Sequence, residues 1–281
     1  MNKNQVLKQR TITATIFGLV VISLLLSGKP GTLVFAGIMA MISTYEYVRM
    51  VFQKVKKKLR LSILSNAVII FLIVTSVPPS NPAFLVLAGI SCLAMIAGIV
   101  NLFLEFINHK RTYWLVSVLY FALPIGLFMS HVYYQQEYSG YFWLGVLSMI
   151  WMSDSFAYLF GSRIGKTKLL ERISPKKTWE GFLGAGITLV VAYFLGRYAP
   201  QLTHDLSLEN LSAGIFWVVI ATFAWIIGTL GDLVESSVKR KFEVKDSGNL
   251  LPGHGGILDR FDSFIYILPF VLFLLQFLTK Q

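Results

Sequence analysis

The chain has 281 residues, of which 55% are hydrophobic and 14% charged, and its formal net charge is +11. A soluble globular domain carries about 25% charged residues, so this composition excludes a soluble enzyme, a disordered chain and a free nucleic-acid binder. It points to an all-α, polytopic integral membrane protein. The single cysteine, Cys92, has no partner for an intrachain disulfide and cannot form a cysteine-cluster metal site.

Nine apolar segments follow in chain order, at 11–27, 31–48, 61–77, 83–103, 113–130, 140–160, 181–196, 212–230 and 263–279. Each approaches the roughly 17–25 residues that cross a bilayer as a helix, which predicts about nine transmembrane helices. The first follows the basic stretch MNKNQVLKQR, and no small-x-small cleavage motif follows it cleanly, so it reads as an uncleaved helix rather than a signal peptide. The separators GKPG (28–31) and VPPSNP (77–82) read as turns, and KVKKKLR (54–60) as a basic loop.

Charge placement tests this arrangement. With a cytoplasmic N-terminus, 22 of the 25 Lys and Arg residues fall in inner stretches, and only Lys29, Arg197 and Lys280 fall outside. That asymmetry is the one expected of cytoplasmic loops. The chain is therefore expected as a multi-pass protein of the cell membrane, with its active face cytoplasmic. Residues 1–140 are expected to form N-terminal transmembrane helices, and 141–281 a C-terminal catalytic transmembrane region with two dense inner loops, 161–180 and 231–262.

The stretch 231–263 carries five acids besides Glu243, five bases and a glycine cluster. Asp232 and Glu235 are spaced i,i+3, with Ser236 one position on, and share a face if the eighth segment continues as a helix. Asp259 and Asp262 repeat the spacing at the entrance to the last segment. Paired carboxylates suit Mg²⁺, a hard cation that keeps waters and substrate phosphates as ligands. Ordinary helix-end ion pairs, such as Glu235 with Lys239, would account for either acidic pair alone but not for the whole constellation. Lys239, Arg240, Lys241 and Lys245 answer phosphate oxygens, although contact with anionic headgroups would explain Lys241 equally well. PGHGG (252–256) is a turn whose amides can approach an anion, and His254 within it is a candidate phosphate ligand or proton carrier.

The second dense stretch begins within the sixth segment. Asp154 precedes Gly161 by about 10 Å of helix and shares a face with Tyr158; an acid at that depth should face protein or a polar cavity. GSRIGK (161–166) lacks the full phosphate-loop pattern. Ser174 followed by Pro175 is expected to start a helix that brings Lys176, Lys177 and Glu180 to the membrane face. Glu46, near the inner end of the second segment, is a further buried-acid candidate, with snorkelling or a simple pair with Arg49 as the plainer alternatives.

These residues carry a resemblance. The run Ser236, Lys239–Arg240, Lys245–Asp246, Gly248, Leu251–Pro252, His254–Gly255–Gly256, Asp259–Arg260 and Asp262 resembles the C-terminal signature of the phosphatidate cytidylyltransferase, or CDP-diacylglycerol synthase, family. It spans 27 residues without a gap. DSFAYLFGSRIGKTKL and ISPKKTWEG resemble that family's second conserved region, while the first 140 residues are similar only in being membrane helices.

The resemblance implies a multi-pass helical fold, commonly a homodimer, and the reaction of CTP with phosphatidic acid to give CDP-diacylglycerol and pyrophosphate. It implies a two-cation centre containing Mg²⁺, whose second ion need not be magnesium. Asp232 and Asp259 would be the central ligands, with Asp246 and Asp262 beside them and Glu235 in the wider donor set. Lys239, Arg240 and Lys245 would hold the nucleotide's outer phosphates, with His254 and Arg260 in the same catalytic group. Asp154, Tyr158, Arg163, Lys166, Ser174, Lys176, Lys177, Ser236, Gly255 and Gly256 would shape the substrate side. No nucleic acid is expected as a partner. A CTP-dependent lipid kinase would share nucleotide and membrane but release CDP. A transporter would concentrate its polar residues near mid-bilayer, whereas here they gather at one face.

Overall fold

The computed structural model describes residues 3–53, 55–104, 110–138, 140–202, 212–253 and 255–278. Lys54 and Lys280, which enter the charge distribution, and His254 lie outside them. The chain forms α1 (Lys3–Leu26), α2 (Lys29–Val51), α3 (Lys57–Thr75), α4 (Pro82–Leu104) and α5 (Lys110–Ser117). A π turn, Val118–Ala122, leads into α6 (Leu123–Tyr134), followed by α7 (Tyr141–Ile164). A hairpin of β1 (Lys168–Leu170) and β2 (Ser174–Thr178) precedes α8 (Trp179–Ala185) and α9 (Ile187–Tyr198). Then come α10 (Ala213–Thr222), a second π turn at Phe223–Gly228, α11 (Thr229–Lys241) and α12 (Leu258–Leu278).

Among the described residues, eight helical stretches are long and apolar enough to cross a membrane, and Thr11–Leu26 of α1 is a shorter apolar helix. The all-α polytopic fold expected from composition is the one observed. The outward surface explains the hydropathy: Leu72 on α3 and Leu93 on α4 are 58% and 68% exposed. Exposed apolar side chains along whole helices would be an aggregation hazard in water and are the natural solution in lipid. The interior is aromatic. Phe128 of α6 meets Trp143 of α7 edge-on with ring centroids 4.5 Å apart, and Phe264 of α12 packs 5.9 Å from Phe128. Helix α12 is buried along most of its length, Pro269 included.

Both π turns have local causes or anchors. Pro124 lacks the N–H that would bond to Tyr120 O in a regular helix, and the Leu123 N–H instead reaches back five residues to Val118 O. The second π turn is held from two sides: Trp225 Nε1 donates to Phe182 O at 2.6 Å, and Ser263 Oγ donates to Gly228 O at 3.0 Å. It passes without a break into α11, so the predicted eighth segment, 212–230, continues as helix to Lys241. That continuation places Asp232 and Glu235 on one helical face.

The helix expected to start at Ser174–Pro175 is not formed; Ser174–Thr178 is strand β2, paired antiparallel with β1. In a two-stranded hairpin every strand is an edge, so Pro175 removes no obligatory ladder bond, and Pro175 O accepts from Lys168 Nζ at 2.7 Å. The helix starts instead behind Thr178, whose extended backbone and side chain cap α8 by accepting from Gly181 N at 3.2 Å. Gly181 also permits a close approach of α8 to α7: a Cβ there would lie 2.7 Å from Ala157 O and 3.1 Å from Gly161 Cα. Gly181→Ala is therefore expected to destabilise the protein by about 1–3 kcal/mol, read as a lower unfolding midpoint in detergent; an unchanged midpoint would contradict this packing.

Candidate active site

The acids of α11 and α12 meet where the two helices face each other. Asp232, Glu235 and Asp262 each present a carboxylate oxygen within 4.8 Å of the others. The i,i+3 spacing of the first two supplies one side of the cluster and the first turns of α12 supply the other. Ser236 Oγ donates to Asp232 Oδ1 at 3.2 Å, and the Asp262 carboxylate accepts from Ser263 N at 2.6 Å. The Glu235 side chain is only 9% exposed; one of its oxygens touches Lys239 Nζ, while Oε1 has no hydrogen-bond partner. A buried carboxylate oxygen without a donor is costly, and three converging hard oxygen donors fit Mg²⁺.

Asp259, expected beside Asp232 as a central ligand, lies near this cluster and is held by donors of the protein itself. Its carboxylate accepts from Lys239 Nζ at 2.8 Å, Ser247 N at 2.9 Å and Gly256 N at 2.7 Å. It therefore ties the 247–256 loop to α12 and shares Lys239 with Glu235. Asp246 is exposed at the loop surface, and Gly255 lies between it and Asp259.

Cations surround the cluster but do not act as one group. Lys177 of β2 pairs with Asp232 at 2.6 Å and donates to Thr229 O at 3.3 Å. The hairpin thus delivers a positive charge that a helix starting at Ser174 would not have delivered in the same way. Asp154 on α7 lies within electrostatic reach of Asp232, Lys177 and Arg260. Arg240 donates through Nε to Ile173 O at 3.4 Å and through Nη1 to Val244 O at 3.3 Å, which bridges α11 to the hairpin. Arg163, Lys166, Lys176, Lys245 and Arg260 are exposed, Ser174 is half-buried in β2, and Tyr158 is 77% exposed.

Two cavities flank these residues. The first, about 430 Å³, runs between α4, α5, the first π turn, α11 and α12. Its walls are mainly apolar and also carry Glu235, Asp262, Arg172, Arg240 and Lys241. Tyr120, Tyr266 and Gly98 also line it; Tyr266 OH donates to Met95 O at 2.6 Å and lies 3.3 Å from Tyr120 OH. The second, about 570 Å³, is a polar groove along the loop, lined by Lys245, Asp246, Gly248, Asn249, Pro252, Gly255 and Arg260 among others. Arg240 and Lys245, expected to serve the same phosphates, thus face different spaces.

Sequence reasoning missed Arg172, which lines the first cavity and donates to Leu102 O at 3.2 Å. It also missed the tyrosine pair, because nothing local in the sequence links residues 120 and 266. Glu46 is the buried acid that the sequence offers as a candidate, with donors that the sequence does not show. It neither snorkels nor pairs with Arg49: it is buried, and Ser247 Oγ, Ile257 N and Leu258 N donate to it.

Comparison with known proteins agrees with this chemistry. The sequence pattern of the cytidylyltransferase family matches residues 8–278. The phosphatidate cytidylyltransferase of Bacillus subtilis (strain 168) is 36% identical over 276 residues, covering 96% of this chain and 97% of the relative. Proteins of the same name from Staphylococcus epidermidis (strain ATCC 12228 / FDA PCI 1200) and Staphylococcus aureus (strain COL) are 34% and 33% identical, each covering 96% of this chain and 99% of the relative. A helical membrane protein with clustered carboxylates between two spans, matched along nearly its whole length, belongs to the cytidylyltransferase family.

Proposed function

We infer that this protein transfers the cytidylyl group of CTP to phosphatidate, forming CDP-diacylglycerol and pyrophosphate for phospholipid synthesis. One observation carries the reading from the structural side. Glu235 and Asp262, which converge with Asp232, line a mainly apolar cavity that also carries Arg172, Arg240 and Lys241, inside a membrane protein. Apolar walls suit the lipid's glycerol and proximal chain, guanidinium groups suit its phosphate, and carboxylates beside them suit a divalent cation.

Asp232, Glu235 and Asp262 are the residues we assign to holding Mg²⁺, with Asp259 and Asp246 beside them; a second cation need not be magnesium. Bound there, Mg²⁺ would neutralise charge developing at the α-phosphate of the transferred cytidylyl group and on the leaving pyrophosphate. The chain's own residues supply the rest. The attacking phosphomonoester is already largely a dianion at neutral pH, its second ionisation lying near pH 6 as in other phosphomonoesters (about 6), so no strong general base is required. Arg240 and Arg172 hold the lipid phosphate. Lys245, Arg260 and the amides of Gly253 and Gly255 take the polyphosphate of CTP, where fixed positive charge stabilises the departing pyrophosphate. Lys177 and Lys239 keep the carboxylate cluster from repelling itself, and Ser236 orients Asp232. Asp154, Tyr158, Ser174 and Gly256 border the substrates, and Arg163, Lys166 and Lys176 supply an attractive field for both anions. His254 remains a candidate phosphate ligand on the sequence motif.

In this reading residues 141–281 carry the chemistry, while 1–140 contribute cavity wall. The protein works as a homodimer in the cell membrane, with the site at the cytoplasmic face, where the basic inner loops lie and CTP is available. The test is a purified-protein assay in detergent with phosphatidic acid, labelled CTP and Mg²⁺. CDP-diacylglycerol and pyrophosphate are expected in equal amounts, with loss of both on chelation and recovery on adding Mg²⁺ back. CDP with no pyrophosphate would identify a kinase and overturn the reading.

A further inference from the structure

Glu46 lies near the end of α2, 5% exposed, and reaches a loop some two hundred residues away in sequence. Its Oε2 accepts from Ser247 Oγ at 3.0 Å and Leu258 N at 2.9 Å, and its Oε1 accepts from Ile257 N at 3.2 Å. Ile257 and Leu258 are the last loop residue and the first residue of α12. The first amides of a helix have no intrahelical acceptor, and the positive end of the helix dipole favours an anion there. Glu46 therefore caps α12 from another helix. The loop closes tightly around it: a Cβ on Gly248 or Gly256 would collide with the Glu46 carboxylate.

The same loop is held from its other side by Asp259, through Ser247 N and Gly256 N. Ser247 thus gives its hydroxyl to Glu46 and its amide to Asp259. The two carboxylates fix the start of α12, and Asp262 lies within its first turns. Asp262 is in turn the only member of the Asp232–Glu235–Asp262 cluster that does not come from α11.

We propose that Glu46 is a positioning residue of the cytidylyl-transfer site: by clasping Ser247 and the first amides of α12 it sets Asp262 against Asp232 and Glu235, and so tunes how tightly these carboxylates take a divalent cation. The proposal rests on the assignment of that cluster to Mg²⁺. Glu46 itself touches neither substrate nor ion. Its effect is that of an outer residue that orients a ligand, a class whose loss typically weakens metal affinity about 10–100-fold.

The test uses the full-length protein in detergent, as wild type, Glu46→Gln and Glu46→Asp. Gln keeps the size but faces one of the two amides with an NH₂ group. Asp keeps the charge on a shorter arm. Two readouts are taken: Mn²⁺ binding followed by electron paramagnetic resonance without substrates, and the Mg²⁺ concentration giving half-maximal turnover. For Glu46→Gln the Mn²⁺ dissociation constant and the half-maximal Mg²⁺ concentration are both expected to rise about 10–100-fold while KM for phosphatidate stays within about twofold, with Glu46→Asp recovering part of the change. A variant that unfolds at lower temperature but binds Mn²⁺ and uses Mg²⁺ as wild type does would make Glu46 merely structural and overturn the proposal. If neither Glu46 variant folds, Ser247→Ala, which drops one of the three bonds, is expected to raise both concentrations several-fold, and unchanged values there would overturn it equally. Should wild type bind Mn²⁺ yet form no CDP-diacylglycerol, the assigned reaction fails while the binding readout still judges Glu46.

Discussion

Purified Asp232→Ala protein is expected to stay folded and membrane-inserted but to lose Mg²⁺-dependent formation of CDP-diacylglycerol by at least about 10²–10³-fold, the usual loss when a group aimed at developing charge is removed. Asp232 is the carboxylate on which three influences converge. It belongs to the acidic cluster, it pairs with Lys177 from the hairpin, and it accepts from Ser236. Removing it takes one carboxylate from the cluster and also frees Lys177 to pair elsewhere. Asp232→Asn should be nearly as inactive, because the amide keeps the size but not the charge. Near-normal turnover by either purified variant would sink the carboxylate-centred site. Lys57→Ala is the control: at the exposed start of α3, its loss should change turnover by no more than about twofold, as for ordinary surface substitutions.

A second large effect is expected at Lys239. Its side chain is 10% exposed and its ammonium is shared by Glu235 and Asp259. Lys239→Met replaces the stem with a similar volume and leaves two buried carboxylates facing each other without a cation. Breaking a buried ion pair from one side costs about 3–5 kcal/mol, so a large fall in the unfolding midpoint is expected together with loss of activity. Adding Mg²⁺ should raise the midpoint of this variant more than that of wild type, since an ion now has more uncompensated charge to meet. The double variant Lys239→Met/Glu235→Gln should regain part of the stability, because one buried charge goes with its partner. A single variant as stable as wild type would show that the lysine is not bound where the structure has it.

Much of this was legible in the sequence, for physical reasons that differ between fold and site. Hydropathy over whole spans identifies membrane helices because lipid imposes one rule on every outward residue, from Leu72 to Leu93. The i,i+3 acids at 232/235 and 259/262 were legible because helical spacing alone puts each pair on one face. What spacing could not give was the choice among partners. Asp259 and Asp262 are equivalent in pattern, yet the loop amides of Ser247 and Gly256 take the first, while the second joins the α11 acids. The hairpin was misread because Ser-Pro is a good local helix start, and only the nearby Thr178 cap and the pairing with Lys168–Leu170 override it. The π turns leave little trace beyond Pro124. Glu46 did leave one: an acid in an apolar span has to find donors, and the nearest residue in sequence, Arg49, was not where they lay.

The reach of Glu46 also has a consequence for how the protein is made. Its acceptor atoms in α2 meet Leu258 N across a separation of 212 residues. At about 5–20 residues per second of synthesis, the second helix must wait tens of seconds for α12 to emerge. Until then the donors that Glu46 meets in the folded protein, Ser247, Ile257 and Leu258, have not been made. Assembly of the carboxylate cluster therefore waits on α12: a ribosome stalled before that span would leave a partly inserted bundle holding Asp232 and Glu235 without Asp262.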